Sequence, residues 1–178
     1  MTVSVRPATV GDMVAVQEIY ADHVLHGLAS FEEIPPDVAE IMGRFKALRE
    51  DDYPFTVGVV NGTVKGFAYA GPYRPRPAYL HTVENSVYIA PDAYRQGIGG
   101  QLLTDLIDRC TQRGLRQMVA IIGDSDNTAS IALHARHGFV HRATVASVGF
   151  KLGRWVDQVI MQRALGDGDQ TLPGAPKG

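Results

Sequence analysis

Between an alternating run, Val83-Glu84-Asn85-Ser86-Val87-Tyr88-Ile89, and a run of helical periodicity lies the segment Arg95-Gln96-Gly97-Ile98-Gly99-Gly100. Three glycines where a strand hands over to a helix leave two readings. Glycine tolerates backbone angles that other residues resist, so the segment makes a tight turn. Alternatively, bare N–H groups of Gln96 to Gly100 and the positive end of a helix wrap a pyrophosphate, with Arg95 adding charge. Spacing excludes two familiar phosphate motifs. A P-loop needs Gly-Lys-Ser/Thr at its end, but Gln101 and Leu102 follow Gly100; a dinucleotide fingerprint needs a third glycine where Leu102 stands.

Other residues here could do chemistry. Glu84 starts the strand entering the turn and is the candidate general base; alternation puts Glu84 and Ser86 on one face, Asn85 and Val87 on the other. The bland reading of Glu84 is an exposed edge carboxylate. Arg74 and Arg76 alternate with prolines that stiffen their loop, so their guanidiniums match a carboxylate or phosphinate, or are simply solvated. Tyr79 and Trp155 wall an amino-acid pocket or fill the core. His134, His137 and His141 lie close in sequence, yet no acidic or thiolate ligand joins them at recognisable spacing, so no metal is expected. Asn127 opens the following helix as an N-cap, a cofactor contact, or both, with Ser130 one turn on.

These residues need elements to hold them. Val3 to Pro7 reads as a short strand, and Thr9 with Asp12 forms a capping box ahead of a helix bearing Met13, Val16, Ile19, Tyr20 and Val24. A two-proline loop leads to a second helix capped by Asp37. Asn61-Gly62 turns a hairpin. Then come the strand of Glu84, a helix from Gly97 to Arg113, a buried strand Gln117 to Gly123, a short helix closed by Gly138, and two final strands. The order β-α-α-β-β-β-α-β-α-β-β predicts one α/β (α+β) domain over 1–165, with a mixed, mostly antiparallel sheet and about four helices. Within it, the strand–helix–strand unit of 83–123 requires a parallel crossover. The Gly/Pro/Asp-rich tail, 166–178, lacks an apolar pattern and reads as disordered.

Composition sets the outer limits. At 178 residues, 45% apolar and 20% charged, the chain can bury a proper core. A net charge of −2 without a Lys/Arg run gives no reason to expect nucleic acid. One cysteine, Cys110, builds no disulfide framework. With no signal-like start and no apolar span, the expectation is a cytoplasmic protein without a membrane partner.

The stretch Val87 to Ile107, followed by Asp126 to Phe139 with its closing Gly-Phe, resembles the acetyl-CoA-binding core of the GNAT N-acetyltransferase superfamily. That pattern usually opens on Arg or Gln where this chain has Tyr94, with Arg95 one place later. Residues 71–89 and 148–157 are similar to the phosphinothricin and methionine sulfoximine N-acetyltransferase subgroup. The resemblance implies acetyl-CoA as co-substrate, held at Val87, Tyr88, Ile89, at Arg95, Gln96, Gly97, Ile98, Gly99, Gly100, and at Asn127 with Ser130. It implies a small amino-acid-like substrate beside Arg74, Arg76, Tyr79, Glu84, Asn85 and Ser86. Phe31 and Glu32 resemble a subgroup loop near the substrate that reaches it across a homodimer. His134 stands where the wider superfamily often has a tyrosine that protonates the leaving sulfur, work an imidazole can do near neutral pH.

Direct acetyl transfer to a small α-amine is thus the first reading, with Glu84 as base and His134 as acid. Lone Cys110, on a predicted helix face away from Glu84, argues against an acyl-cysteine route. Two rivals remain: acetylation of a protein N-terminus or another amine, and a non-catalytic acyl-CoA-binding module.

Overall fold

The computed structural model describes residues 2–174. Strands β1 (Val3–Pro7), β2 (Phe55–Val60), β3 (Thr63–Pro72), β4 (Thr82–Ile89), β5 (Gln117–Gly123), β6 (Val140–Lys151) and β7 (Arg154–Ala164) form one sheet, ordered β1-β2-β3-β4-β5-β7-β6. Only the β4–β5 pair is parallel. Helices α1 (Met13–His26), α2 (Val38–Glu50), α3 (Ile98–Gln112) and α4 (Thr128–Arg136) complete the expected order.

Local chemistry fixes the entry points. The Asp12 carboxylate accepts from the Thr9 N–H (2.8 Å) and hydroxyl (2.9 Å), and Arg6 donates to both of its oxygens. This box opens α1, which buries Met13, Val16, Ile19, Tyr20 and Val24. Asn61 (φ 49°) and Gly62 (φ 80°) take the left-handed angles that a two-residue hairpin between β2 and β3 demands.

Glycines and rings show which helix covers which face. A Cβ on Gly66 would crowd Leu102 of α3, whereas one on Gly71 would meet Leu48 of α2. Phe45 of α2 packs edge-on against Phe55, whose cross-strand partner is Tyr69. Odd-numbered β3 residues therefore look toward α1 and α2, even-numbered ones toward α3 and α4. Through the β3–β4 register, Glu84, Ser86 and Tyr88 share the α1/α2 face, while Asn85, Val87 and Ile89 share the α3/α4 face. Helix α3 anchors its side with Ile98, Leu102, Leu103, Leu106, Ile107 and Cys110 all buried; each large apolar side chain there contributes about 1.5–3 kcal/mol.

The C-terminal segment differs from its expected disorder over the part described. Arg116 donates to Gly168 O (3.3 Å), Thr171 Oγ1 (2.7 Å) and Leu172 O (2.8 Å), turning residues 166–174 back on the body. Two backbone carbonyls and one hydroxyl supply the anchor, so no apolar pattern was needed. Residues 175–178 lie outside the described residues.

Candidate active site

Strand β4 is where the sheet comes apart. It pairs with β5 only from Thr82–Gln117 to Asn85–Ala120, although β4 continues to Ile89 and β5 to Gly123. On its other edge β4 stays paired with β3 as far as Ile89–Gly66. The Ala90 N–H donates to Lys65 O (2.9 Å), which sets the ladder phase. Alternate residues face the antiparallel partner, so Tyr88 turns its backbone to β3 while Val87 and Ile89 turn theirs toward the widening gap. The gap is a narrow cleft of about 40 Å³ between Ser86–Tyr88 and Ile121–Gly123, with Asn127, Ser130 and His134 of α4 along its floor. A larger cavity, about 1120 Å³, opens beside Arg113 at the far end of α3, roughly 22 Å of helix away from the glycine turn. Chemistry, not volume, locates the site.

The glycine turn follows the end of β4, and a Cβ on Gly99 would lie 3.9 Å from Ile89. Arg95 (φ 63°) and Gly97 (φ 78°) are both left-handed. A Cβ on Gly97 would meet no protein atom within 4 Å, so it would stand in the open space before the helix. Helices α2 and α4 are closed by side chains: Asp37 accepts from the Glu40 N–H (2.8 Å) and Asn127 from the Ser130 N–H (3.2 Å). Helix α3 has no side-chain cap. Its first N–H groups have no side-chain partner, so a tight turn and an anion cradle are compatible at this bend. His137 ties the floor to the turn, with Nδ1 2.8 Å from Leu133 O and Nε2 3.2 Å from Gly100 O.

Glu84 and Ser86 look toward α1 and α2. Among the described residues the Glu84 carboxylate has no hydrogen-bond or ion-pair partner. Burial raises its pKa, and the charge of Arg74 only partly opposes that. A carboxyl poised this way suits proton abstraction near neutral pH. Tyr69, the cross-strand partner of Ser86, stands in the electrostatic reach of Glu84 and Glu32, its phenol pushed up by burial.

Asn85 lies on the other face, buried, with its carboxamide 3.3 Å from His134 Nε2 and its nitrogen 3.6 Å from Met118 Sδ. Its side chain is therefore on the face opposite those of Glu84 and Ser86, and it lines the cleft. His134 Nδ1 is 2.8 Å from Ser130 O. A carbonyl only accepts, so Nδ1 carries the proton and Nε2 presents its lone pair to the Asn85 amide. Burial also lowers the His134 pKa. With Nδ1 bonded to the carbonyl, Nε2 is placed to accept from Asn85, whereas the expected role was proton donation to sulfur. Asn127 both caps α4 and lines the cleft.

The loop between α1 and α2 folds over the end of the gap. Phe31 rests on Gly149 of β6 and Gly123 of β5; a Cβ on Gly149 would come within 2.6 Å of the ring. Burial alone would raise the Glu32 carboxyl, but bonds from Arg44 (2.7 and 3.2 Å) and Tyr20 (2.9 Å) outweigh it and hold it below the usual range. Glu32 is thus a brace for the loop. Buried Lys151 donates to Ser30 O (2.6 Å) and pins the same segment. Arg74 stacks on Tyr73 (4.4 Å) and Tyr79 packs edge-on against Tyr73, while Arg76 is exposed. Trp155 is 66% exposed, neither core nor cleft wall.

Sequence reasoning missed Tyr69, Arg44, His23, Gly123 and Gly149. A glycine inside a strand marks close approach of another group, and that signal was available at Gly149. Nothing local points to the others.

A parallel pair that parts after Asn85–Ala120, an uncapped glycine turn after the same strand, and an unpartnered carboxyl upon it suit acyl transfer from a phosphorylated carrier. The chain belongs to the acetyltransferase (GNAT) family, whose sequence profile matches residues 16–139, and it is an acetyltransferase. It is 51% identical over 170 residues to phosphinothricin N-acetyltransferase of Alcaligenes faecalis, covering 96% of this chain and 86% of that protein. It is 41% identical over 163 residues to the L-methionine sulfoximine/L-methionine sulfone acetyltransferase of Pseudomonas paraeruginosa (91% and 94% covered). The crystal structure of a phosphinothricin acetyltransferase from Sinorhizobium meliloti in complex with AcCoA superposes with a TM-score of 0.95 at 43% identity, covering 98% of this chain and 95% of that one.

Proposed function

We propose that the protein transfers the acetyl group of acetyl-CoA to the α-amine of a small amino acid of the phosphinothricin or methionine sulfoximine/sulfone type. The observation that carries this reading is the pair of Val87 and Ile89 backbone groups turned into the β4–β5 gap next to Glu84. The similarity to enzymes named for those substrates supports the choice of amine.

In this reading the uncapped turn from Arg95 to Gly100 grips the carrier's diphosphate, and Asn127 and Ser130 line its path. The β4 N–H groups polarise the thioester oxygen. Glu84, directly or through one water, takes a proton from the substrate ammonium. His134 holds the Asn85 amide at the cleft rather than donating a proton, and the second amine proton is available to the departing sulfur. Arg74 and Arg76 meet the substrate's anionic groups from the loop above Glu84. Cys110, buried and pushed up to about 12 by burial, takes no part.

The protein is proposed to work in the cytoplasm as a homodimer. The β6–β7 hairpin exposes Phe150 (57%), Leu152 (58%) and Trp155 (66%) in one patch, which a second copy would cover. Among the described residues no helix is long and apolar enough to cross a membrane.

The test is free-thiol release from acetyl-CoA against a panel of amino acids, phosphinothricin, methionine sulfoximine and a peptide with a free N-terminus, with product mass checked. Acetylation of the amino-acid members supports the reading. Preference for the peptide favours the rival amine acceptor, and acetyl-CoA binding without thiol release with any acceptor favours the non-catalytic module.

A further inference from the structure

A strand that leaves its partner must account for its own backbone. Ladder phase turns the Ile89 carbonyl, like its N–H, toward the gap where β5 no longer answers. A part-buried carbonyl without a donor costs free energy, and a parallel ladder carried past the end of β5 would relieve it. The Gln117 N–H bonds to His81 O, so Ile121 and Gly123 also turn their backbones toward β4. Continued at the same offset, the ladder would give the Val87 and Ile89 N–H groups partners in Ile121 and Gly123, and the Ile89 carbonyl a donor at Ser125, just past the end of β5. The Ile89 carbonyl is met instead from α1, where His23 Nε2 lies 2.9 Å from Ile89 O. The acceptor is a carbonyl, so Nε2 must be the protonated nitrogen and the donor.

We propose that His23 is a positioning residue for acetyl transfer: by capping the Ile89 carbonyl it holds the end of β4 apart from β5 and leaves the Val87 and Ile89 N–H groups free for the thioester. The proposal rests on the reading of the gap as the acetyl-CoA site. The ring is itself held in place. Tyr88 meets it edge-on at 5.1 Å between centroids and Tyr94, at the glycine turn, at 6.5 Å, while Tyr20 of α1 braces Tyr88 from beside it at 5.1 Å. One side chain therefore links α1, the last residue of β4 and the turn that follows. Those three parts must keep their spacing for the diphosphate and the thioester to be gripped together.

Two variants separate the donor from the packing. His23→Phe keeps a ring between Tyr88 and Tyr94 but cannot donate; His23→Gln restores an N–H donor at similar reach. The measurements are calorimetric acetyl-CoA binding, KM and kcat, and amide exchange at Val87 and Ile89. His23→Phe should bind acetyl-CoA about tenfold more weakly, the net worth of one such bond. Its KM for acetyl-CoA should rise more than its kcat falls, and the Val87 and Ile89 amides should be protected even without ligand because the gap has closed. His23→Gln should return to within about threefold of the parent. Equal binding by His23→Phe, or a His23→Gln as impaired as His23→Phe, overturns the proposal. Failure of the parent to bind acetyl-CoA overturns instead the reading of the gap. Should His23→Phe not fold, nitrogen NMR on the parent decides: a protonated Nε2 on neutral His23 upholds the capping bond, and a bare Nε2 refutes it.

Discussion

Asn85 of β4 and His134 of α4 meet side chain to side chain at 3.3 Å inside the cleft, the imidazole accepting in the tautomer that the Ser130 carbonyl selects. Its opposite nitrogen is committed to Ser130 O, and burial disfavours its charged form. Replacing the amide by a carboxylate should reverse this. In Asn85→Asp the negative charge facing Nε2 should raise the His134 pKa by about one unit or more, read by NMR titration of the ring. A titration that does not move would remove Asn85 as its partner.

The base should respond to its neighbour in a definite direction. Burial lifts the Glu84 pKa and Arg74 pulls it back. Only the ionised carboxyl accepts a proton, so kcat/KM should fall as pH drops through the raised value. Arg74→Ala removes the opposing charge, and the acid limb should move to higher pH, by a few tenths of a unit because Arg74 is exposed and screened. Arg74→Lys should leave the limb in place. A limb that shifts to lower pH in Arg74→Ala contradicts the assignment.

The contact of Phe31 with Gly149 gives a packing test. Gly149→Ala would put a methyl group 2.6 Å from the ring. Displacing the ring should cost about 1–3 kcal/mol and raise KM for the amino acid several-fold while acetyl-CoA binding stays close to the parent's. Adding Phe31→Leu should recover part of the stability. Equal losses for both substrates would mean that the loop serves the whole fold rather than the amine side.

Stability at low pH should depend on the α1 entry. Hydrogen bonds from Arg6 hold Asp12 at about 2 against an ordinary value of 3.8, outweighing the opposing effect of burial. A depressed carboxyl stabilises the fold above its unfolded value and loses that contribution as pH falls through its folded one. Asp12→Asn should therefore cost about 1–2 kcal/mol at neutral pH, discounting for the half-exposed Arg6. The difference from the parent should shrink between about pH 4 and pH 2, as denaturant melts would show. A constant difference across that range would assign the loss to packing.

How far the sequence foretold this follows from how local each signal is. Leu102, Leu103, Leu106 and Ile107 repeat at helical spacing, and Asn127 and Asp37 precede their helices, so α2, α3 and α4 could be read from neighbours alone. Alternation placed Glu84 and Asn85 on opposite faces, which the structure upholds. Where β4 parts from β5 could not be read, because ladder register is set by partners distant in sequence. The bond from His23 ends on a backbone carbonyl, and no side chain at residue 89 announces it. The bond from Glu32 to Arg44 was also hidden, because a loop residue there meets a side chain twelve positions on, in α2. Trp155 breaks the usual burial of large aromatics because it lies on the exposed hairpin.

Glu84→Gln at saturating acetyl-CoA bears most directly on acetyl transfer to an amine at the β4–β5 gap. The substitution keeps shape and removes the basic oxygen. Thiol release with a good amino-acid acceptor should fall by about 10²-fold or more, within the usual worth of a general base, while calorimetric binding of acetyl-CoA stays unchanged. Turnover at the parent's rate with acetyl-CoA equally well bound would contradict the account.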